Sequence, residues 1–329
     1  MPSVDVAGEF ETIRKLFAPL AHPEWGRGLV DDVAVVPSRQ GYDLVLTKDT
    51  IVEGVHFLES DPLDTVARKL LRVNLSDLAA KGAEPFGYLL SCGWSKRCGW
   101  PEREAFAAGL RVDQTEFGVA LLGGDTVVTP GLATFSLTAL GWIPKGLAVG
   151  RHGARPGDGV FVTGFIGDGW LGLQAAQEKL TLEMERLIAL VDHYRTPQPR
   201  TDFIQPIRDH ATASIDVSDG LIADLGHIAR ASGVGMKLDL EVLPLSGAGQ
   251  AWLDGRADPV LALRALATGG DDYQIAFTAP DRNEPALRRE ADRRHLRLTR
   301  LGTVTGGEVV AVRYQGRPVE FDEGGFTHR

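Results

Sequence analysis

Cysteine is nearly absent from this chain, whose 329 residues contain only Cys92 and Cys98. A disulfide framework requires more cysteines than two, and the C-x₅-C spacing matches neither a zinc site nor a thioredoxin motif. The eight histidines are dispersed, without an H-x-x-x-H pair, which argues against zinc. We therefore expect two ordinary thiols in the reducing environment of the cytoplasm.

Long apolar runs and an excess of positive charge are also missing. No apolar stretch reaches the length of about 20 residues that a membrane-spanning helix needs. The first ten residues lack the basic segment and apolar run of a secretory signal. Acidic residues outnumber basic ones by 44 to 35, which gives a net charge of −9. Since binding to a phosphate backbone favours a basic face, we expect neither a nucleic-acid nor a membrane partner.

The common nucleotide-binding and hydrolase motifs are absent or incomplete. The sequence contains no G-x-x-x-x-G-K-[ST] loop and no G-x-S-x-G elbow. Gly167, Gly169 and Gly172 do form a G-x-G-x-x-G pattern between a predicted strand and a predicted helix. A dinucleotide fold would continue into a second strand that ends in an acidic residue about 20 positions on. This chain continues into another helical pattern, so we expect the glycines to pack a helix on a sheet.

Aspartate is what the sequence does offer, at the predicted ends of strands and helices. The seven residues concerned are Asp31, Asp32, Asp49, Asp77, Asp125, Asp216 and Asp219. Carboxylates accompanied by Ser and Thr hydroxyls are hard oxygen ligands, which suit Mg²⁺ shared with a polyphosphate better than zinc or copper. Because these residues are spread over the whole chain, they form a site only if folding brings them together. The pattern indicates a metal-dependent phosphoryl-transfer enzyme.

Each motif also has a simpler interpretation. Gly123-Gly124-Asp125-Thr126 allows a phosphate to approach the backbone, but Gly-Asp is also common in tight turns. Either Ser218 or Asp219 could be the N-cap of the following helix. Asp216 is harder to explain in this way, because a carboxylate in an otherwise apolar strand needs a partner, and we favour a cation. Asp77, in mid-helix, becomes a candidate metal ligand only when it is considered together with the other aspartates.

Predicted strands and helices alternate along the chain, which indicates an α/β or α+β protein. The first strand is predicted over residues 42–47, immediately before Asp49, and another over 119–122, before Gly123. A helix is predicted over residues 64–83 from its apolar spacing. Residues 143–159 are rich in Gly, Pro and Arg and mark the predicted boundary between domains 1–148 and 149–329.

Six motifs, in order, resemble those of the thiamine-monophosphate kinase family, within the aminoimidazole-ribonucleotide-synthetase-like superfamily. The resemblance runs essentially from end to end. The motifs are Gly8–Ile13 (GEFETI), Val52–Phe57 (VEGVHF), Asn74–Ala80 (NLSDLAA), Leu122–Thr126 (LGGDT), Ser214–Leu221 (SIDVSDGL) and Gly269–Tyr273 (GGDDY).

The resemblance implies phosphorylation of thiamine monophosphate by ATP, giving thiamine diphosphate and ADP, with several Mg²⁺ ions. It implies a two-domain α/β fold in which the N-terminal domain has a mixed sheet with helices. That domain would bind ATP and Mg²⁺ and pair with its twin in a homodimer, and the C-terminal domain would be α/β. The nucleophile would be a substrate phosphate oxygen, so no side chain is needed as an acid or base.

The resemblance also implies roles for individual residues. Metal-binding positions are matched by Asp31, Thr47, Asp49, Asp77, Asp125, Asp216 and Asp219. ATP-contacting positions are matched by Gly124, Asp125, Arg151 and Ser218. Positions that contact thiamine phosphate are matched by His56, Asp271 and Phe326.

Three residues depart from the family pattern. Val30 stands where Gly is usual, Lys48 where Thr or Ser is usual, and Asp271 where Glu is usual. Lys48 introduces a positive charge that could replace one metal ion or contact phosphate. Two other hypotheses stay open at this stage: a sibling ATP-dependent synthetase, and a catalytically silent protein that binds nucleotide or thiamine phosphate.

Overall fold

A computed structural model of the chain describes residues 8–307 and 309–321. The chain divides into two compact units, the first comprising Met1–Leu78 and Ala83–Gly146, the second Ala79–Gly82 and Leu147–Arg329. Each unit combines helices with a mixed sheet, which confirms the predicted α/β class.

A four-stranded sheet forms the centre of the first unit. Its described helices are α1 (Glu9–Thr12), which continues as a π turn (Ile13–Phe17) and a 3₁₀ turn (Ala18–Leu20), then a 3₁₀ turn (Arg27–Leu29), α2 (Leu63–Ala80) and α3 (Trp100–Phe117). The strands are β1 (Tyr42–Val52), β2 (Glu84–Ser95), β3 (Ala120–Thr129) and β4 (Thr134–Pro144). The strand order is β1-β4-β2-β3, with β2 and β3 parallel and the other pairs antiparallel. The sheet is therefore mixed, as predicted.

Alternation along the strands gives this sheet a buried and an open face. On β4, Phe135 and Leu137 are buried in one cluster with Leu70 of α2 and Phe106 of α3. The other face carries large apolar side chains that remain exposed: Leu44 (43%), Leu46 (57%) and Leu89 (42%). One face of the sheet thus forms the core of the first unit with its helices.

Two strands extend further than predicted. β1 does not end before Asp49 but runs on to Val52, and β3 includes Gly123, Gly124 and Asp125. Asp49 is paired with Leu137 of β4 in the ladder, and Asp125 with Ser91 of β2. The prediction failed because backbone pairing with a distant strand can include polar residues that look like the start of a loop.

A seven-stranded sheet forms the centre of the second unit. Its helices are α4 (Asp168–Ala176), α5 (Met184–Arg195), α6 (Ile204–His210), α7 (Leu221–Ser232), α8 (Gly247–Asp254), α9 (Pro259–Thr268) and α10 (Glu284–Arg293), with 3₁₀ turns at Thr201–Phe203, Leu240–Val242 and Asp281–Asn283. The strands are β5 (Asp158–Thr163), β6 (Ala213–Asp216), β7 (Gly235–Asp239), β8 (Ile275–Pro280), β9 (Leu298–Thr305), β10 (Val310–Tyr314) and β11 (Arg317–Val319), in the order β11-β10-β7-β9-β5-β8-β6. Across the described parts of both units, no helix has the length and apolar character needed to cross a bilayer.

The G-x-G-x-x-G segment packs a helix closely, but on another helix rather than on a sheet as we expected. A Cβ atom built on Gly172 of α4 would lie 2.1 Å from the carbonyl oxygen of Leu190 on α5. Gly167, immediately before α4, has a φ of +92°, and a Cβ there would lie 2.6 Å from the Leu266 side chain. These glycines are therefore required by the approach of α4 to its neighbours.

Candidate active site

The first group of candidate ligands lies between β1 and α2. Thr47 and Asp49 are two residues apart on a strand and so face the same side, toward α2. The Thr47 hydroxyl donates a hydrogen bond to Asp77 Oδ2 at 2.5 Å. The Asp49 amide donates to Asn74 Oδ1 at 3.2 Å, one helical turn before Asp77. Three of the predicted ligands are thus brought together in the first unit.

The electrostatics of this group favour a cation. Burial, together with the charge of Asp77, raises the pKa of Asp49 from 3.8 to about 6. Among the described residues, none donates a hydrogen bond to the Asp49 carboxylate. A half-buried carboxylate without donors is stabilised in its ionised form chiefly by positive charge. The nearby Lys48 acts in that direction, but it is the smallest of the three influences on Asp49.

Lys48 itself points to the other side of the sheet. Its Nζ donates to Ser136 Oγ at 2.5 Å, on the open face, and Ser136 in turn bonds the Asp49 carbonyl oxygen at 3.1 Å. The Thr47 hydroxyl is therefore still available beside Asp77, whatever stands at position 48. The geometry gives no support to the idea that Lys48 replaces a metal ion between Asp49 and Asp77.

A second group lines a cavity of about 330 Å³ in the same unit. Asp31, Asp32 and Asp125 line this cavity together with Gly123 and Gly124. The side chain of Asp125 is exposed, whereas that of the next residue, Thr126, accepts a hydrogen bond from the buried Trp94. The register supports this, since Ser91 pairs with both Asp125 and Ser136, which places Asp125 on the open face. The structure thus separates Asp125 from the face that carries Thr47 and Asp49.

Gly124 holds β3 unusually close to β2. A Cβ atom built on it would lie 1.8 Å from the Leu90 carbonyl oxygen. Gly123 and Asp125 both continue the ladder with β2, so the interpretation of this motif as a tight turn is wrong. The glycine fixes where the strand presents Asp125.

The loop before Asp31 bends at positions other than Val30. Arg27, Gly28 and Leu29 all have positive φ, between +48° and +64°. Val30 has a φ of −103°, which valine adopts without strain, and its side chain is exposed. Arg27 forms an ion pair with Asp31 and lowers the pKa of that exposed carboxyl. The usual glycine is therefore not required at this position.

The second unit contributes the loop between β6 and α7. Asp216 is the last residue of β6 and is only 6% exposed. The amides of Ser218, Asp219 and Gly220 all donate to Asp224 Oδ2, at 3.1 to 3.2 Å. The N-cap residue of α7 is Gly220, which has no side chain to cap it. The interpretation of Ser218 or Asp219 as the N-cap is therefore wrong.

Two residues near this loop were missed by sequence reasoning. Ligand atoms of Asp219, Asp224 and His227 lie within 4.8 Å of one another. Burial and the charge of Asp219 raise the pKa of Asp224 to about 7. Burial lowers the pKa of His227, as do Arg230 and Arg151, whereas Asp219 raises it. The spacing of Asp224 and His227, three residues apart on one helix face, was the available signal.

The residues matched to thiamine phosphate are distributed between the units. His56 follows β1 in the first unit, and its Nδ1 accepts a hydrogen bond from the Val52 amide at 3.1 Å. Asp271 is in the second unit, has a φ of +63°, and its carboxylate accepts a hydrogen bond from the Tyr273 hydroxyl at 3.0 Å. Phe326 lies outside the described residues.

The Asp271 loop is bonded to the Ser218 loop. The amide of Asp271 donates to the Ser218 carbonyl oxygen, and that of Tyr273 to the Val217 carbonyl oxygen, both at 2.8 Å. A residue matched to ATP and one matched to thiamine phosphate therefore share one piece of backbone structure. The arrangement can orient two ligands relative to each other.

Comparison with known proteins shows which proteins this chain is similar to. The family model "AIR synthase related protein, N-terminal domain" matches residues 30–143, and the corresponding C-terminal domain model matches residues 155–315. A thiamine-monophosphate kinase from Caulobacter vibrioides is 48% identical over 328 residues, which cover 99% of this chain and 92% of that protein.

Solved structures of this group have the same fold. A thiamine-monophosphate kinase from Stenotrophomonas maltophilia is 35% identical, with a TM-score of 0.80, and the match covers 88% of this chain and 91% of that one. The structure of AaThiL complexed with AMPPCP and TMP is 31% identical, with a TM-score of 0.76, and the match covers 97% of both chains. The similarity therefore extends over both units.

Proposed function

This chain belongs to the thiamine-monophosphate kinase family and phosphorylates thiamine monophosphate with ATP; on that premise, we propose that its carboxylates hold Mg²⁺ for the reaction. Because thiamine-monophosphate kinases are 48% and 37% identical over nearly the whole chain, the hypotheses of a sibling synthetase and of a silent binding protein are set aside. The proposed metal positions are Asp31, Thr47, Asp49, Asp77, Asp125, Asp216 and Asp219.

The donor set fits a hard divalent cation. Every proposed ligand offers oxygen, either from a carboxylate or from the Thr47 hydroxyl, which already contacts Asp77. The observation that carries the proposal is Asp49, a half-buried carboxylate whose raised pKa and lack of hydrogen-bond donors among the described residues call for positive charge. When bound, Mg²⁺ supplies neutralisation of the charge repulsion between donor and acceptor phosphates.

The side chains act by positioning rather than by proton transfer. A phosphate monoester has a second pKa of about 6, so the attacking oxygen of the substrate is mostly deprotonated at neutral pH. We assign ATP contacts to Gly124, Asp125, Arg151 and Ser218, and thiamine phosphate contacts to His56, Asp271 and Phe326. Holding the two phosphates in line then supplies most of the rate enhancement.

The test is thiamine diphosphate formation from thiamine monophosphate, ATP and Mg²⁺, with Asp49→Asn as the altered protein. Asp254→Asn is the matched control, since that aspartate accepts a hydrogen bond from Gln250 on the exposed surface of α8. Calorimetry of Mg²⁺ binding gives a readout independent of turnover. Unchanged Mg²⁺ binding and rate in Asp49→Asn would refute the proposed metal role.

The open face of the first sheet supports a homodimer. Leu44, Leu46 and Leu89 are all at least 42% exposed on this face, and contiguous apolar exposure of this kind marks association surfaces. We expect Leu46→Asp to convert a dimer to a monomer in light scattering after size exclusion. The control is Leu261→Asp on α9, a leucine of similar exposure at 60%. A parent protein that is monomeric would refute this part of the proposal.

The remaining assignments concern the roles of the two domains and the cellular location of the protein. We assign ATP and Mg²⁺ binding and dimerisation to residues 1–148; residues 149–329 form the second domain, which also contributes the metal positions Asp216 and Asp219 and the ATP contacts Arg151 and Ser218. Both cysteines carry free thiols, which supports a cytoplasmic location. The net charge of −9 supports small anionic ligands bound through metal rather than a nucleic-acid partner.

A further inference from the structure

A single buried carboxylate organises the loop that follows β6. Asp224, on α7, is 2% exposed, and its Oδ2 atom accepts hydrogen bonds from three consecutive amides. These amides belong to Ser218, Asp219 and Gly220. The Asp224 side chain therefore fixes the backbone path of this loop.

The loop has little freedom to adopt another path. Gly220 has a φ of +126°, and a Cβ atom there would lie 2.8 Å from the backbone of Thr268. On its other side, the loop continues directly from Asp216, at the buried end of β6. Ser218 and Asp219 are thus presented by a backbone that is held at both ends and at its centre.

The same loop carries the segment that contains Asp271. The Asp271 amide bonds to the Ser218 carbonyl oxygen at 2.8 Å, and a Cβ atom on Gly270 would lie 2.5 Å from that same oxygen. The next residue, Asp272, accepts hydrogen bonds from the amides of Gly167 and Gly169, at 2.9 to 3.0 Å. A shift of the Ser218 carbonyl would therefore be transmitted to Asp271.

We propose that Asp224 is a positioning residue, which sets the placement of Ser218 and Asp219 directly and that of Asp271 through the Ser218 carbonyl. The inference rests on the proposed function, since those residues are assigned there to ATP, metal and substrate. The rival role is a direct metal ligand, because Asp224 lies within 4.8 Å of Asp219 and His227. Replacing Asp224 by asparagine distinguishes the two roles. Asparagine keeps an oxygen that can accept the loop amides but loses the anionic charge a ligand supplies.

The experiment compares Asp224→Asn, Asp224→Ala and Asp219→Asn by kcat and by KM for thiamine monophosphate and for ATP at fixed Mg²⁺. Displacement of reacting groups by about 1 Å can lower rates about 100-fold, and we expect a loss of that order in kcat/KM for Asp224→Ala. We expect Asp224→Asn to stay within about 10-fold of the parent, with its loss in KM for ATP, through Ser218, and in KM for thiamine monophosphate, through Asp271. Asp219→Asn should be more severe than Asp224→Asn.

The matched control is Asp158→Asn. Asp158 is equally a buried carboxylate of the second unit, and it accepts hydrogen bonds from the Arg155 amide at 3.0 Å and from the Thr212 hydroxyl at 2.8 Å. It has no bond to the Ser218 loop. We expect this variant to lower the melting temperature without changing either KM, which separates positioning from general stability.

A second variant keeps the inference testable if Asp224→Ala does not fold. Gly220→Ala disturbs the same loop from the Thr268 side and should raise KM for thiamine monophosphate in the same way. Two results overturn the inference: full activity in Asp224→Ala (or in Gly220→Ala if Asp224→Ala does not fold), or a loss in Asp224→Asn that equals that of Asp219→Asn. An inactive parent would instead refute the proposed function, and calorimetric binding of Mg²⁺-ATP by the same variants would then decide the role of Asp224.

Discussion

Replacing Gly124 by alanine should destabilise the protein and remove most of its activity, whereas the same replacement at Gly123 should be tolerated. At position 124 the new Cβ atom would lie 1.8 Å from the Leu90 carbonyl oxygen and 2.8 Å from its carbon, where real Cβ contacts are essentially never under 3.0 Å. At position 123 the nearest atom is Cδ2 of Leu89, at an ordinary 3.4 Å. Neither glycine has a positive φ, so the two positions differ in the room available for a Cβ atom and not in backbone strain.

The size of the destabilisation depends on which part of the structure must move to relieve the clash at position 124. The neighbour at position 124 is backbone, so relief requires β3 to separate from β2, its neighbour in the sheet. Overpacking of this kind costs about 1–3 kcal/mol, and each lost ladder hydrogen bond adds about 1 kcal/mol. We therefore expect about 2–4 kcal/mol of lost stability and, since Asp125 would shift with the strand, a rate lower by about 100-fold.

The assay is thermal unfolding together with initial rates of thiamine diphosphate formation over a range of Mg²⁺ concentrations. Gly123→Ala is the matched control and should change the free energy of unfolding by no more than about 0.5 kcal/mol. If Gly124→Ala melts with the parent and turns over at the parental rate, the close approach of β3 to β2 does not fix Asp125. Loss of activity in both variants would also contradict the reasoning, because only one of them meets a clash.

Three further predictions concern individual side chains. Asp49→Asn should lower kcat at least about 100-fold by removing a metal ligand, yet should not lower the melting temperature, because it relieves the repulsion from Asp77. Lys48→Thr should leave kcat within about threefold of the parent in the same assay, because the Lys48 amine bonds Ser136 on the face opposite Asp49 and Asp77. For Asp168, burial raises the pKa to about 6 from 3.8, so the folded state holds a proton that the unfolded state has released between these values. The free energy of unfolding should therefore fall by roughly 2–3 kcal/mol from this group as pH rises from about 4 to about 6. Urea unfolding at several pH values should show this fall in the parent and not in Asp168→Asn.

Local periodicity was enough to place α2. The helix predicted over residues 64–83 is observed as Leu63–Ala80, with Val66 and Leu70 buried as their spacing requires. That success is physical, since a helix closes its own hydrogen bonds and needs only one apolar stripe to bind a core. Sequence alone therefore carries the information for such an element.

Strand ends were predicted less well, for a reason that lies outside the strand. Lys48 to Thr50 look like a polar turn after the predicted strand, but each has a partner on β4, about 90 residues away in sequence. The face on which Asp125 and Lys48 lie is likewise set by the register of β1, β4, β2 and β3. Motifs in one sequence cannot supply that register, so they indicate candidate ligands but not which of those residues the fold brings together.

The residues that sequence reasoning missed are those that act through the backbone. Nothing in the residue type of Asp224 distinguishes it from an ordinary helical aspartate, because its partners are three amides rather than side chains. The same holds for Asp272 and the amides of Gly167 and Gly169 at the start of α4. Such carboxylates become visible only when the hydrogen bonds of the loop are traced.

The buried carboxylates of this protein are therefore of two kinds, those that accept hydrogen bonds from the described part of the chain and those that do not. Oδ2 of Asp224 and both carboxylate oxygens of Asp272 accept hydrogen bonds from backbone amides. Asp49 has a like charge beside it and, among the described residues, no donor, so its ionised form must obtain stabilisation from something the chain does not provide. A divalent cation meets that need, and its arrival would displace the proton that the raised pKa retains. Mg²⁺ binding near pH 6 should consequently release protons from the parent, and release fewer from Asp49→Asn, in calorimetry performed in buffers of different ionisation enthalpy.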